Sequence, residues 1–165
     1  MIFNATTNMV NCKEMKREVR NEEAMKKFAE SFGRVVHGGE LFELVGDVGA
    51  GKTTFTKGLA EGMGITEAVQ SPTFTISRVY DARDGLELRH YDFYRLPEAG
   101  IMANELAEAV TDPTVVTVVE WAEVVESVLP ENRLRLEIIA TGEDTREITV
   151  TAHGERAEKL LEAVA

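Results

Sequence analysis

Three glycines, a lysine and a threonine lie close together at Gly46, Gly49, Gly51, Lys52 and Thr53, within the string GDVGAGKT. The string satisfies the pattern G-x-x-x-x-G-K-[ST] at every fixed position, and the chemistry it suits is the capture of a polyphosphate. Its glycines let Gly46, Asp47, Val48, Gly49, Ala50 and Gly51 curl so that successive backbone N–H groups point inward, while a helix beginning near Lys52 adds its positive end. Lys52 then offers a point charge to the β and γ phosphates, and the Thr53 hydroxyl is placed for Mg²⁺. Thr54 reads equally well as a ligand and as a packing residue. Two carboxylates are candidates to serve the metal. Glu120 ends the apolar run TVVTVV, so it sits at the carboxyl edge of a buried strand, where open α/β sheets bind ligands and where an unpaired charge is costly. Asp92, inside HYDFYR, ends a second strand and reads either as a metal ligand or as a turn residue. His90 and Tyr94 fall on the same face as Asp92 by alternation, with Tyr91 and Phe93 on the other. The default reading of His90 is structural, and that of Arg95 is pairing with an acid.

The elements that must position these groups follow from periodicity. Asn21 caps a helix carrying Glu22 and Glu23 in its first turn, with Ala24, Phe28, Ala29 and Phe32 on one face and Gly33 near its end. Residues 41–45 form a short apolar strand, and residues 52–61 a helix that stops at Gly62 and Gly64. Residues 73–80 and 86–93 pair as a hairpin through a turn ending in Asp84-Gly85. A helix over residues 98–110 starts just after Pro97, and residues 114–119 are apolar on both faces, as a central strand under helices should be. A short helix over residues 122–128, a second hairpin from residues 134–139 and 147–151, and a last helix over residues 154–164 complete the chain. Residues 1–15 show no clean period and read as a flexible lead-in. The order predicts one three-layer α/β domain over residues 1–165, with a mixed, mainly parallel central sheet and antiparallel hairpins.

At 165 residues the chain suits one domain, and its 18 basic against 29 acidic residues give a net charge of −11. Such a balance repels polyanions and argues against direct DNA or stand-alone RNA binding. No apolar run is long enough to span a membrane, and the single Cys12 cannot close an internal disulfide, which points to a reducing cytoplasm.

Four segments in order, GDVGAGKTT at residues 46–54, SPTFT at 71–75, HYDFYR at 90–95 and VEWAE at 119–123, resemble the bacterial TsaE (YjeE) family. These are small P-loop ATPases of tRNA threonylcarbamoyladenosine biosynthesis. The likeness runs from about residue 21 to residue 139. It implies a P-loop NTPase fold, ATP and Mg²⁺ as ligands, and a switch-like segment at residues 71–75, with Thr73 or Thr75 contributing a hydroxyl near the metal. It implies that Asp92 belongs to the metal or catalytic site, that Glu120 stands at a Walker-B-like position, and that Trp121 lies by the nucleotide. Taken without the family, Trp121 reads as a packing residue. Relatives often carry a threonine where Met25 falls.

The expected activity is Mg²⁺-dependent ATP hydrolysis, with Lys52 and the loop on the triphosphate, Thr53 and Asp92 on the metal, and Glu120 on the attacking water, the last two exchangeable. The resemblance further implies docking on a TsaB–TsaD heterodimer, with tRNA reached only through that complex. The alternatives are a small-metabolite P-loop kinase, a GTPase, for which no N-K-x-D reader is present, and a nucleotide-sensing module that hardly turns over.

Overall fold

A computed structural model describes residues 13–165. Seven strands form one sheet: β1 (Lys13–Val19), β2 (Leu41–Val45), β3 (Ser77–Asp81), β4 (Glu87–Asp92), β5 (Val115–Glu120), β6 (Arg133–Ala140) and β7 (Arg146–His153), in the order β1-β7-β6-β2-β5-β4-β3. The four middle strands β6, β2, β5 and β4 run parallel, whereas β1, β7 and β3 pair antiparallel at the two wings. The sheet is therefore mixed, with its parallel part confined to the centre.

Four helices cover it: α1 (Glu22–Val35), α2 (Lys52–Gly62), α3 (Ile101–Thr111) and α4 (Glu155–Val164). Alternation along the strands sends Phe42, Leu44, Val116, Val118, Leu136 and Val150 to the face under α1, α2 and α4. It sends Leu41, Val115 and Val119 to the other, beneath α3 and a 3-10 segment, Ala122–Val128. That makes three layers. At the centre of the first face Phe28, Phe32, Phe42 and Phe55 meet edge-on or tilted, with ring centroids 5.3 to 6.4 Å apart, the arrangement aromatic quadrupoles favour.

Helix α1 begins where expected: the Asn21 side chain accepts from the Ala24 amide at 2.8 Å, and Glu22 and Glu23 face the positive helix end. It packs on α2 at unusually short range. A Cβ built on Gly58 would lie 2.3 Å from the Lys26 carbonyl oxygen, so the two backbones touch there and only glycine fits. Arg83, in the turn between β3 and β4, donates to the carbonyls of Gly33, Arg34 and Val36 at the end of α1, and to that of Gly62 at the end of α2. One guanidinium thus satisfies carbonyls that two helix ends would leave open.

Four expectations are corrected. Of the supposed lead-in, residues 13–15 open β1; residues 1–12, with Cys12, lie outside the described residues. Strand β3 starts at Ser77 rather than at residue 73, because residues 73–75 form a turn in which the Thr75 and Ile76 amides both donate to the Pro72 carbonyl. Helix α3 starts at Ile101 rather than residue 98, after Gly100 adopts a positive φ. The sheet is parallel in three of its six strand pairings rather than mainly so, because β1 adds an antiparallel partner to the two hairpins. The short helix expected over residues 122–128 is present with those bounds, as 3-10 helix following Trp121 in the left-handed region. Among the described residues no helix is long and apolar enough to cross a membrane.

Candidate functional site

Strands β2, β4 and β5 all end at one edge of the sheet, and the sequence candidates collect there. Val45 ends β2; the chain turns through residues 46–51 and enters α2 at Lys52. Gly46 is obligatory in this turn, since a Cβ on it would come within 2.7 Å of the Ile138 carbonyl oxygen. Gly51 caps α2 with a φ of 112°, a region L side chains avoid. The apex residues Asp47, Val48 and Gly49 are exposed, whereas Ala50 is buried.

Lys52 folds back over the loop. Its Nζ donates to the Gly46 carbonyl at 2.5 Å and stands 4.1 Å from the centroid of the Trp121 ring. The side chain is buried, and among the described residues it has no acidic partner. A buried cation held by a carbonyl and an aromatic face is poorly neutralised, so a phosphate arriving at the loop gains a charge-assisted partner. Thr53 and Thr54 follow on the first turn of α2, both half-buried.

At the same sheet edge, parallel register sets Asp92 directly beside Glu120. Both carboxylates are buried. Asp92 is tied down: its Oδ1 accepts from the Tyr94 amide and its Oδ2 from the Thr73 hydroxyl, each at 2.9 Å, and Ser71 Oγ lies 2.7 Å from Thr73 Oγ1. Thr73 therefore reaches the acid, whereas Thr75 bonds back to the Ser77 carbonyl. Glu120 is not tied down. Its Oε1 is buried with no hydrogen-bond partner and faces His90 Nε2 at 3.5 Å. Leaving a buried carboxylate oxygen unpartnered costs of the order of 1 to 3 kcal/mol or more, so the group calls for a partner such as water, an ion or a substrate atom.

His90 is wholly buried, neither of its ring nitrogens making a hydrogen bond, so it is not the satisfied structural histidine that its place on a strand suggested. Tyr94 lies beyond the end of β4, and its ring rests on Trp121 at 4.8 Å rather than sharing the face of Asp92 and His90. Arg95 stacks on Tyr94 and takes no acid partner among the described ion pairs. The segment before β3 carries strain: Ile76, a β-branched residue, holds a φ of 68°, while Phe74, two residues earlier, is fully exposed.

Two of the clefts beside the loop bear on the site. One, of about 460 Å³, opens between Val48, Trp121 and Ile139. The other, of about 170 Å³, lies between the start of α1 (Asn21, Glu22, Met25), the loop glycines Gly49 and Gly51, Thr54, and the β6–β7 turn at Asp144 and Arg146. Sequence reasoning missed Arg146. A single cation in an acid-rich hairpin has no local signature, and only the fold brings it to the loop.

An exposed glycine-rich turn between a parallel strand and a helix, with a buried lysine and two buried acids at the same sheet edge, defines a mixed α/β protein built around one edge site. Residues 19–148 match the family model described as Threonylcarbamoyl adenosine biosynthesis protein TsaE, and the chain belongs to that family. It is 44% identical over 155 residues to the tRNA threonylcarbamoyladenosine biosynthesis protein TsaE of Bacillus subtilis, covering 91% of this chain and 93% of that one. The TsaE of Streptomyces coelicolor is 42% identical over 137 residues, covering 80% and 93%. Among solved structures, the crystal structure of Bacillus subtilis YdiB superposes with a TM-score of 0.76 at 42% identity, covering 93% of this chain and 95% of that one.

Proposed function

We propose that this protein is a P-loop NTPase that binds and hydrolyses Mg-ATP to support a TsaB–TsaD complex in the threonylcarbamoyladenosine modification of tRNA, in the cytoplasm. Family membership supports the pathway. The observation that carries the chemistry is a buried lysine on a glycine turn, held on the ring of Trp121, at the same sheet edge where the buried acids Asp92 and Glu120 stand side by side.

In this reading the main-chain amides of residues 46–53 wrap the triphosphate, and Lys52 leaves the Gly46 carbonyl for the β and γ oxygens. Thr53 and Asp92 hold the metal, directly or through water, with the Thr73 hydroxyl fixing the Asp92 carboxylate. Magnesium, when bound, supplies neutralisation of the phosphate charge. The residues present fit such a hard cation: the Asp92 carboxylate and the Thr53 hydroxyl are oxygen donors of the kind magnesium takes, and they would hold it with phosphate oxygens and water as its other ligands. Glu120, with its free Oε1, orients the attacking water and receives its proton. The γ-phosphorus–oxygen bond to ADP breaks as the new bond to water forms. Trp121, now over Lys52, is released when the lysine turns to phosphate, which leaves the indole beside the nucleotide.

Partner dependence fits the strain at Ile76 and the bare Phe74: the segment that bonds Asp92 is held in a conformation that a docked protein would reset. An acidic chain also suits a basic protein surface better than bare RNA, so tRNA is met only through the complex. The test is phosphate release by the purified protein, alone and with TsaB and TsaD. Slow turnover alone and faster turnover in the mixture are expected; fast turnover that the partners leave unchanged would refute the coupling.

A further inference from the structure

Arg146, the first residue of β7, spends its guanidinium on main-chain carbonyls. Nε donates to the Ala50 carbonyl at 2.9 Å and an Nη to that of Gly49 at 3.4 Å, both in the glycine turn. The other Nη donates to the carbonyls of Gly142, Glu143 and Thr145 in the β6–β7 turn, at 3.0 to 3.2 Å. It forms no ion pair among the described residues, although this is a chain with 29 acids.

We propose that Arg146 is a positioning residue for the phosphate loop: it sets the peptide planes that aim the loop's amides at the ligand and fastens the loop to the β6–β7 turn. This rests on reading the loop as an ATP cradle. A trans peptide points its C=O and N–H in opposite directions. Holding the Gly49 and Ala50 oxygens on the outside therefore aims the Ala50 and Gly51 N–H groups to the inside. In the ligand-free fold the Ala50 amide is parked on the Asp47 carbonyl at 3.0 Å, closing the turn, while the Gly51 carbonyl opens α2 by accepting from the Phe55 amide at 2.9 Å. A cation on a carbonyl also polarises its peptide and strengthens the N–H as a donor. The loop itself is rich in positive-φ glycine and cannot hold these planes unaided.

The role is separable from the neighbouring cleft, which Arg146 also lines. A residue that sets the amides acts on the phosphates alone, whatever base they carry. Calorimetric titrations of ATP and of inorganic tripolyphosphate into wild type, Arg146→Gln and Arg146→Lys test this. Both ligands should weaken by about tenfold or more, by the same factor, in the Gln variant. The Lys variant should also bind more weakly than wild type, since one ammonium cannot span both turns. If the Gln variant does not fold, the Lys variant carries the test, together with the amide resonances of Ala50 and Gly51, which should move in the ligand-free protein while that of Val118 stays. Unchanged affinities, wild-type affinity in the Lys variant, or loss confined to ATP with tripolyphosphate binding intact would each overturn the proposal. Wild type that binds neither ligand would instead overturn the reading of the loop, and this inference with it.

Discussion

Gly58→Ala isolates the contact that fixes the helix carrying Lys52 and Thr53. On an open helix this change stabilises by up to about 1 kcal/mol, because glycine loses more backbone freedom than alanine. Here the new Cβ would lie 2.3 Å from the Lys26 oxygen, 2.7 Å from Lys26 Cα and 2.9 Å from Ala29 Cβ. Carbon and oxygen rarely approach within about 3.0 Å, and two of the three obstacles are backbone, so no side chain can swing aside. The helices must part by most of an ångström. That loosens the contacts of Phe28, Phe32 and Phe55 across the same seam. Forced overpacking costs about 1 to 3 kcal/mol, and the seam's lost dispersion adds to it, so a net destabilisation of about 2 to 3 kcal/mol is expected after the helix gain is subtracted. Urea unfolding followed by circular dichroism reads this directly, as a lower midpoint at unchanged slope. Lys57→Ala, on the exposed side of α2, is the control and should stay within about 0.5 kcal/mol. A Gly58→Ala protein as stable as wild type, or more so, would show that α1 and α2 do not touch at this seam.

Arg83→Ala should cost about 2 to 4 kcal/mol in the same assay, since four carbonyls at two helix ends lose a charged donor; an effect under about 0.5 kcal/mol would refute the capping role. Burial beside Glu105 pushes the Tyr91 phenol up to about 12. A raised folded value means that the stabilisation is complete below the unfolded value near 10 and is lost as pH rises through 12. Wild type should therefore shed about 2 to 3 kcal/mol over that interval. Tyr91→Phe should escape this loss, and ultraviolet titration should show one of the three tyrosines ionising last. Glu120→Gln should bind ATP within about threefold of wild type while phosphate release falls by about a hundredfold; unchanged turnover would remove Glu120 from the water-activating role.

The glycine turn, Lys52, Asp92 and Glu120 were legible because strand, loop and helix each carry a local pattern, and because an acid closing an apolar run stands out. What escaped depends on contacts far apart in sequence. Strand β1 (KEMKREV) is a charged edge strand: only its Met15 and Val19 meet the core, too few apolar residues to show a period. The strand expected from residue 73 begins later because the Pro72 carbonyl accepts two amides in a turn and Ile76 reverses the chain. The burial of His90 beside Glu120 follows from the parallel register of β4 and β5, which no single segment encodes. The two hairpins that make β3 and β7 antiparallel were legible, but the third antiparallel pairing, β1 with β7, joins segments far apart in the sequence and has no local pattern.

The central claim, that the turn at residues 46–53 holds a triphosphate opposite Asp92 and Glu120, is tested most directly by a crystal structure with magnesium and a non-hydrolysable ATP analogue. The account predicts the phosphates inside the turn with Lys52 drawn off the Gly46 carbonyl onto them, and the metal between Thr53 and Asp92. An empty turn with Lys52 still beneath Trp121, and nucleotide bound elsewhere, would contradict it.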